Sequence, residues 1–224
     1  MEQYQTEANM ADIVRKELNS YFGGDTEITS EFRYGSGRTD LVFSRTSEKY
    51  LAKRAKALGK LIPIEKRDYL RMFLQIRDRK RISEDKFYEV GARQPRYKKK
   101  ALSWLLENNF VMNKGNKIKT APDLRRHITE SHAVELKIKD WRTALEQAYG
   151  GRAYTNAQYV ALAEENIDPV LENLDEFKRY NIGVVAVRKN VGCEVIHDPE
   201  KSSPFSPIHT WRLNERTLKV MDPN

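Results

Sequence analysis

An α/β fold, a mixed sheet flanked by helices and interrupted by an inserted basic domain, is what this sequence predicts. Three observations lead there. In "AVELKIKDW", Ala133 to Trp141, apolar Val134, Leu136 and Ile138 alternate with Glu135, Lys137 and Lys139, the period-two pattern of a half-buried strand. The run "IGVVAVRK" is continuously apolar, as suits a strand covered on both faces of a sheet. Between Arg45 and His127 there are 24 Lys and Arg against 9 Asp and Glu, although the whole chain carries only +8. An acidic chain thus has a strongly basic segment set into its middle. The expected division is a discontinuous core, 1–44 and 128–224, around an insert at 45–127.

The elements follow in order. Met10, Ile13, Val14 and Leu18 recur at helical spacing, and Gly23-Gly24 ends that helix. "TEITSEFRYGSGRTDLVF" predicts two strands, Thr26–Tyr34 and Arg38–Phe43, joined at Gly35-Ser36-Gly37. Within the insert, "PIEKRDYLRMFLQIRDRK" carries a stripe of Leu70, Phe73 and Leu74, and "SEDKFYEVGA" starts a helix on Ser83. "QPRYKKKALSWLLENNF" has Pro95 in its first turn and Leu102, Leu105 and Leu106 on one side, with Trp104 bordering that stripe as a core residue. A hairpin turning at Asn113 to Asn116 follows. Helix, helix, basic helix and basic hairpin are the order of a winged helix-turn-helix, whose third helix enters the DNA major groove.

Past the insert, Asp140 caps a helix in "DWRTALEQAYGG", and "AQYVALAE" is a strand. A helix opens at Asp168-Pro169, and "GCEVIHD" pairs with or edges the "IGVVAVRK" strand. The tail "SSPFSPIHTWRLNERTLKV", with two prolines, reads as a surface wrap. With the insert lifted out, the order is helix, strand, strand, strand, helix, strand, helix, strand, a mixed sheet with helices on both faces.

Composition narrows the function classes. The lone Cys193 excludes an intrachain disulfide, and it and four scattered histidines give no structural zinc pattern. No run of eighteen apolar residues suggests a membrane span, and the N-terminus is polar and amphipathic, unlike a signal peptide. A cytoplasmic, nucleoid-associated protein is expected. A +8 chain with its charge concentrated in one segment expects a polyanionic partner, here DNA, and a homodimer is a further expectation.

One constellation carries chemistry. Asp40 lies in the strand that becomes the neighbour of "VELKIK" once the insert is excised, so Asp40, Glu135 and Lys137 can meet. Magnesium takes oxygen ligands and is held by one or two carboxylates plus phosphate and water. A lysine beside it can orient an attacking water or stabilise a pentavalent phosphoryl state.

Here the chain resembles the PD-(D/E)xK nuclease superfamily, the fold of many restriction endonucleases, RecB-type nucleases and Holliday-junction resolvases. The matching pieces are "GRTDLVF", "VELK" with Glu135-x-Lys137, and "ALEQAY". The resemblance implies a restriction-endonuclease-like core and metal-dependent cleavage of DNA with Mg²⁺ (or Mn²⁺). Asp40 and Glu135 would be ligands, with Glu17 from the first helix as a third and Glu31 as its substitute. It also implies catalytic roles for Lys137 and Gln147, with Tyr154 accompanying Gln147. Thr39 stands where the family has proline, and the insert lengthens the gap between Asp40 and Glu135. His132, just before the motif, reads as structural or exposed. On the insert, Arg93, Arg96, Lys98, Lys99 and Lys100 are expected at the recognition helix and Lys114, Lys117 and Lys119 on the wing. Two other readings stay open: a non-catalytic DNA-binding regulator with a degenerate nuclease fold, and a structure-selective nuclease such as a junction resolvase, or an RNA-directed one.

Overall fold

A computed structural model describes residues 4, 6–35, 37–89 and 94–222. In chain order the elements are α1 (Glu7–Tyr21), β1 (Thr26–Tyr34), β2 (Gly37–Thr46), α2 (Glu48–Leu58), α3 (Arg67–Asp78), β3 (Ile82–Ser83) and α4 (Glu84–Glu89). Then come α5 (Pro95–Glu107), β4 (Val111–Lys114), β5 (Lys117–Thr120), β6 (Ile128–Lys137), α6 (Trp141–Gly150) and β7 (Ala157–Ala163). The chain continues through α7 (Asp168–Glu172), α8 (Leu174–Tyr180), β8 (Gly183–Arg188), β9 (Gly192–His197) and α9 (Pro207–Met221). Among the described residues no helix is long and apolar enough to cross a membrane.

The chain forms two compact units. One comprises Met1–Thr46 and Ile128–Thr210, the other Ser47–His127 and Trp211–Asn224. The first is an α/β unit with a six-stranded sheet in the order β1-β2-β6-β7-β8-β9. Only β6-β7 and β7-β8 are parallel; the other neighbours are antiparallel. Alternation in β6 does what its period demands. Val134 and Leu136 pack with Met10, Val14 and Leu18 of α1 and with Leu41 and Phe43 of β2. On the opposite face, Val160 and Leu162 of β7 and Val184 of β8 pack with Trp141, Ala144 and Leu145 of α6 and Phe177 of α8. β7, central in the sheet, is buried at every position, as expected of a parallel strand covered on both sides. The helix expected from Asp168 is split at Asn173 into α7 and α8.

The second unit has α3, β3, α4, α5 and the β4–β5 hairpin, with sheet order β3-β5-β4. The chain leaves β2 and returns to β6 side by side: the Ser47 amide donates to the His127 carbonyl at 2.8 Å, and Thr46 pairs with Ile128.

One expectation is corrected in this unit. From Pro207 on the tail is a helix rather than a surface wrap, and from Trp211 on it groups with 47–127. Trp211, Leu213 and Leu218 are buried there, and Trp211 meets Phe73 edge-on at 5.1 Å. There is also a helix, α2, that periodicity does not announce. Both departures have one cause. Arg54 of α2 and Glu215 of α9 occupy core positions and satisfy each other, at 2.8 and 2.5 Å. The Glu215 carboxylate also accepts from the Ile64 amide, and Arg54 donates to the Ile62 carbonyl. A charge within each apolar stripe breaks the period by which such helices are recognised, and the pairing that makes those charges tolerable is tertiary.

Candidate functional site

The site is built at the end of two adjacent strands. β2 and β6 run antiparallel, with Leu41 opposite Val134. Just past that last pair, the groups of Asp40 and Glu135 interlock. The Leu136 amide donates to Asp40 Oδ2 at 2.9 Å. The Glu135 carboxyl in turn receives hydrogen bonds from the Asp40 amide and the Thr39 hydroxyl. Each carboxylate is therefore oriented by the other's strand, a rigid arrangement for two oxygen donors.

Glu135 is 1% exposed, and its Oε1 has no hydrogen-bond partner. Burial raises its carboxyl to about 8, and the Asp40 charge pushes the same way. The Thr39 and Asp40 hydrogen bonds and the Lys137 charge pull it down without cancelling that rise. A buried, unpaired carboxylate oxygen is costly unless something positive or hydrogen-bonding meets it.

Around this pair the structure gathers residues that the sequence only partly indicated. The Tyr154 hydroxyl, fully buried, lies 2.5 Å from that of Thr39, so Thr39 links Tyr154 to Glu135. Tyr34 packs on Tyr154 at 4.8 Å between ring centres and donates to the Gln147 carbonyl at 3.4 Å. Gln147 is exposed on α6, joined to the group through its main chain. Lys137 donates to Glu7 at 2.8 Å, a residue in the first turn of α1, where an acid is favoured by the helix dipole. Arg38 approaches Asp40 Oδ1 at 4.0 Å and bonds Glu31 at 3.1 Å, so Glu31 reaches Asp40 only through Arg38. An acid in the first turn of a helix beside the motif strand is the one signal that could have marked Glu7.

Glu17 is not brought to the pair, and the third-ligand expectation is corrected. Its carboxylate lies against Gly192 and Cys193 of β9, where its charge, after burial, raises the Cys193 thiol to about 12. β9 stands four strand spacings from β2, roughly 19 Å, far beyond shared ligation. His132 is also outside the group. It is buried on the α1 face, stacked on Phe22 at 4.0 Å and bonded to Glu130 at 2.9 Å.

For a metal, the chemistry of the donor set fits narrowly. Among the described residues no three of His, Cys, Asp and Glu gather to hold an ion. The pair Asp40 and Glu135 meets the smaller demand of magnesium, one or two carboxylates with water and phosphate completing the shell, and the orphaned Glu135 oxygen is what such an ion would satisfy.

The expected nucleic-acid residues divide. On α5, Arg96, Lys99 and Lys100 are exposed, as are Lys114 and Lys117 on the hairpin, with Lys119 half-buried. Lys98 is corrected: it is 1% exposed and its ammonium donates to the Tyr88 carbonyl at 2.6 Å. Its position on α5 points it inward, in phase with Ala101, Leu102 and Leu105. Arg93 lies outside the described residues. In comparisons with known proteins, no family model, no curated protein and no solved structure matches the chain.

Proposed function

We propose that the protein is a metal-dependent DNA endonuclease with a restriction-endonuclease-like core, and that its basic unit is a winged helix-turn-helix that binds the substrate. The observation that carries this reading is the interlocked Asp40–Glu135 pair beside Lys137, with Glu135 buried and one of its oxygens unpaired. The order helix, strand, helix, helix, hairpin, with β3 completing the small sheet, supports the winged-helix part.

Asp40 and Glu135 would hold Mg²⁺ or Mn²⁺, which when bound polarises the scissile phosphoryl group and acidifies water. Thr39 and the Asp40 amide fix the Glu135 carboxyl, and the Leu136 amide fixes Asp40. Lys137, held by Glu7 in this arrangement, exchanges that partner for the anionic substrate and stabilises its developing charge. Gln147 borders the group from α6 and faces solvent, where it can meet the backbone of bound DNA. Arg96, Lys99, Lys100, Lys114 and Lys117 supply exposed positive charge for phosphates.

A second reading, a DNA-binding regulator that does not cleave, is favoured by the Lys137–Glu7 ion pair, which occupies the lysine that cleavage would use. Plasmid incubated with Mg²⁺, Mn²⁺ or EDTA separates the two. On the nuclease reading the wild type cuts in either metal and not in EDTA. Asp40→Ala, Glu135→Ala and Lys137→Ala then each lose about 100-fold or more in rate while retaining DNA affinity. Uncut plasmid in both metals, with binding intact, leaves the regulator.

A further inference from the structure

Between α3 and α5, within the helical unit, lies an open groove of about 490 Å³, in the range of small-ligand sites (~300–1,000 Å³). One wall is a single face of α5: Arg96, Lys99, Lys100 and Trp104 recur at helical spacing. The other is the start of α3, where the Lys66 ammonium lies 5.0 Å over the Tyr69 ring. Four cations thus line the groove against one carboxylate, Glu107, which is engaged by the Ser103 hydroxyl at 2.7 Å. Arg96 lies in the first turn of α5 and Lys66 is the N-cap residue of α3, where helix dipoles add to the attraction for phosphate, and Lys99 and Lys100 follow in the next turn of α5. Trp104 is half-buried in the wall, backed by Phe110 with centroids 5.4 Å apart and rings nearly parallel. It also meets the Tyr69 ring at 5.5 Å, tilted by 47°, so the two aromatics line the groove together.

An indole in a wall flanked by cations has a definite use. In a duplex, bases present edges in the grooves and keep their faces stacked on one another. A tryptophan face can be covered only by a base whose own face is free, in a strand that is unpaired. We infer that this groove binds an unpaired DNA strand, one base stacking on Trp104 while Lys66, Lys99 and Lys100 hold the adjoining phosphates. The inference rests on the nucleic-acid reading above and narrows it: the substrate carries a single-stranded stretch.

The test compares a short single-stranded DNA oligonucleotide with a duplex of equal length, by anisotropy and by intrinsic tryptophan emission. Trp141 and Trp211 are buried, so quenching by the single strand reports Trp104 and must vanish in Trp104→Phe. Trp104→Ala is expected to weaken single-strand binding by about 5- to 100-fold and duplex binding by less than about twofold, with the salt slope unchanged. Because Trp104 packs on Phe110, Trp104→Phe keeps the test decisive should the alanine variant not fold. Lys99→Ala with Lys100→Ala should flatten the single-strand salt slope by about 1.4. Quenching that survives in Trp104→Phe, or equal losses on both substrates, overturns the inference. If duplex binding persists and depends on Lys99 and Lys100 while Trp104 is inert, this inference alone fails. If neither DNA binds, the nucleic-acid reading fails with it.

Discussion

Glu135 shows how one residue can be set against the stability of its own fold. Its carboxyl, lifted by burial to about 8 from an ordinary 4.5, keeps a proton that the unfolded chain has released. The folded state is therefore favoured below about pH 4.5, and this contribution is lost as pH rises through 8. The span corresponds to something on the order of 5 kcal/mol. In EDTA, Glu135→Gln should melt at a temperature close to wild type at pH 5 and clearly higher at pH 9, because the amide does not titrate. Parallel melting curves at both pH values would remove the buried-acid account. A divalent ion should oppose the trend in the wild type alone, since it favours the carboxylate. The histidines act with opposite sign. Burial lowers His132 to about 4, and burial together with Arg54 lowers His127 to about 4. Both are neutral when folded, so their contribution is present above pH 6.5 and lost as pH falls through 4. Replacing either with Phe should flatten the acid limb of a melting-temperature profile between those values.

At the scale of elements, α5 divides its lysines by helical phase. Its sequence "RYKKK" reads as one block of charge, but a helix turns each successive residue by about 100°, so neighbours in sequence need not share a surface. Lys98 faces the interior and Lys99 and Lys100 face out. Lys98→Ala should therefore cost about 1–3 kcal/mol of stability through the unsatisfied Tyr88 carbonyl and leave the salt dependence of duplex binding unchanged. Lys99→Ala with Lys100→Ala should do the reverse, flattening that slope by about 1.8 if each releases one counterion, at unchanged melting temperature. A steep loss of slope from Lys98→Ala alone would contradict its burial. The same distinction separates what was legible in β6 from what was not. Alternation placed Glu135 and Lys137 on one face, but which acid of α1 met Lys137 depended on how α1 docks. Glu7 and Glu17 are both reasonable by spacing, and docking sends one to Lys137 and the other to β9.

The helical unit is held by a buried ion pair that joins residues 161 positions apart. Arg54→Ala should cost about 3–5 kcal/mol by leaving Glu215 charged and alone, whereas Arg54→Met with Glu215→Leu should recover most of it. Thermal unfolding of the three proteins checks this; a double variant no better than the single would mean that the pair's hydrogen bonds to Ile62 and Ile64 matter more than its charge. The pair also decides how the chain can be cut. Replacing 47–127 with a short linker strands the apolar side chains of Trp211, Leu213 and Leu218 in water, so that product should aggregate. Removing residues from Trp211 onward as well should yield a soluble sheet unit. Limited proteolysis and circular dichroism distinguish the two products.

Strand alternation, turn glycines, the basic block and the Asp40, Glu135 and Lys137 trio could be read directly, because each is written in residues a few positions apart. A strand's faces follow from its period of two, and a charge excess from simple counting. The pairing of β2 with β6 was reachable by excising the insert, since its two ends must meet. The Thr39–Tyr154 link, the choice of Glu7 over Glu17, the inward turn of Lys98 and the membership of α9 were settled by folding. Each depends on contacts between segments far apart in sequence, and periodicity carries no information about which distant partner neutralises a buried charge. Where Arg54 and Glu215 replace apolar residues in their helices, the local pattern points away from the core, and only their meeting in space makes either position tolerable.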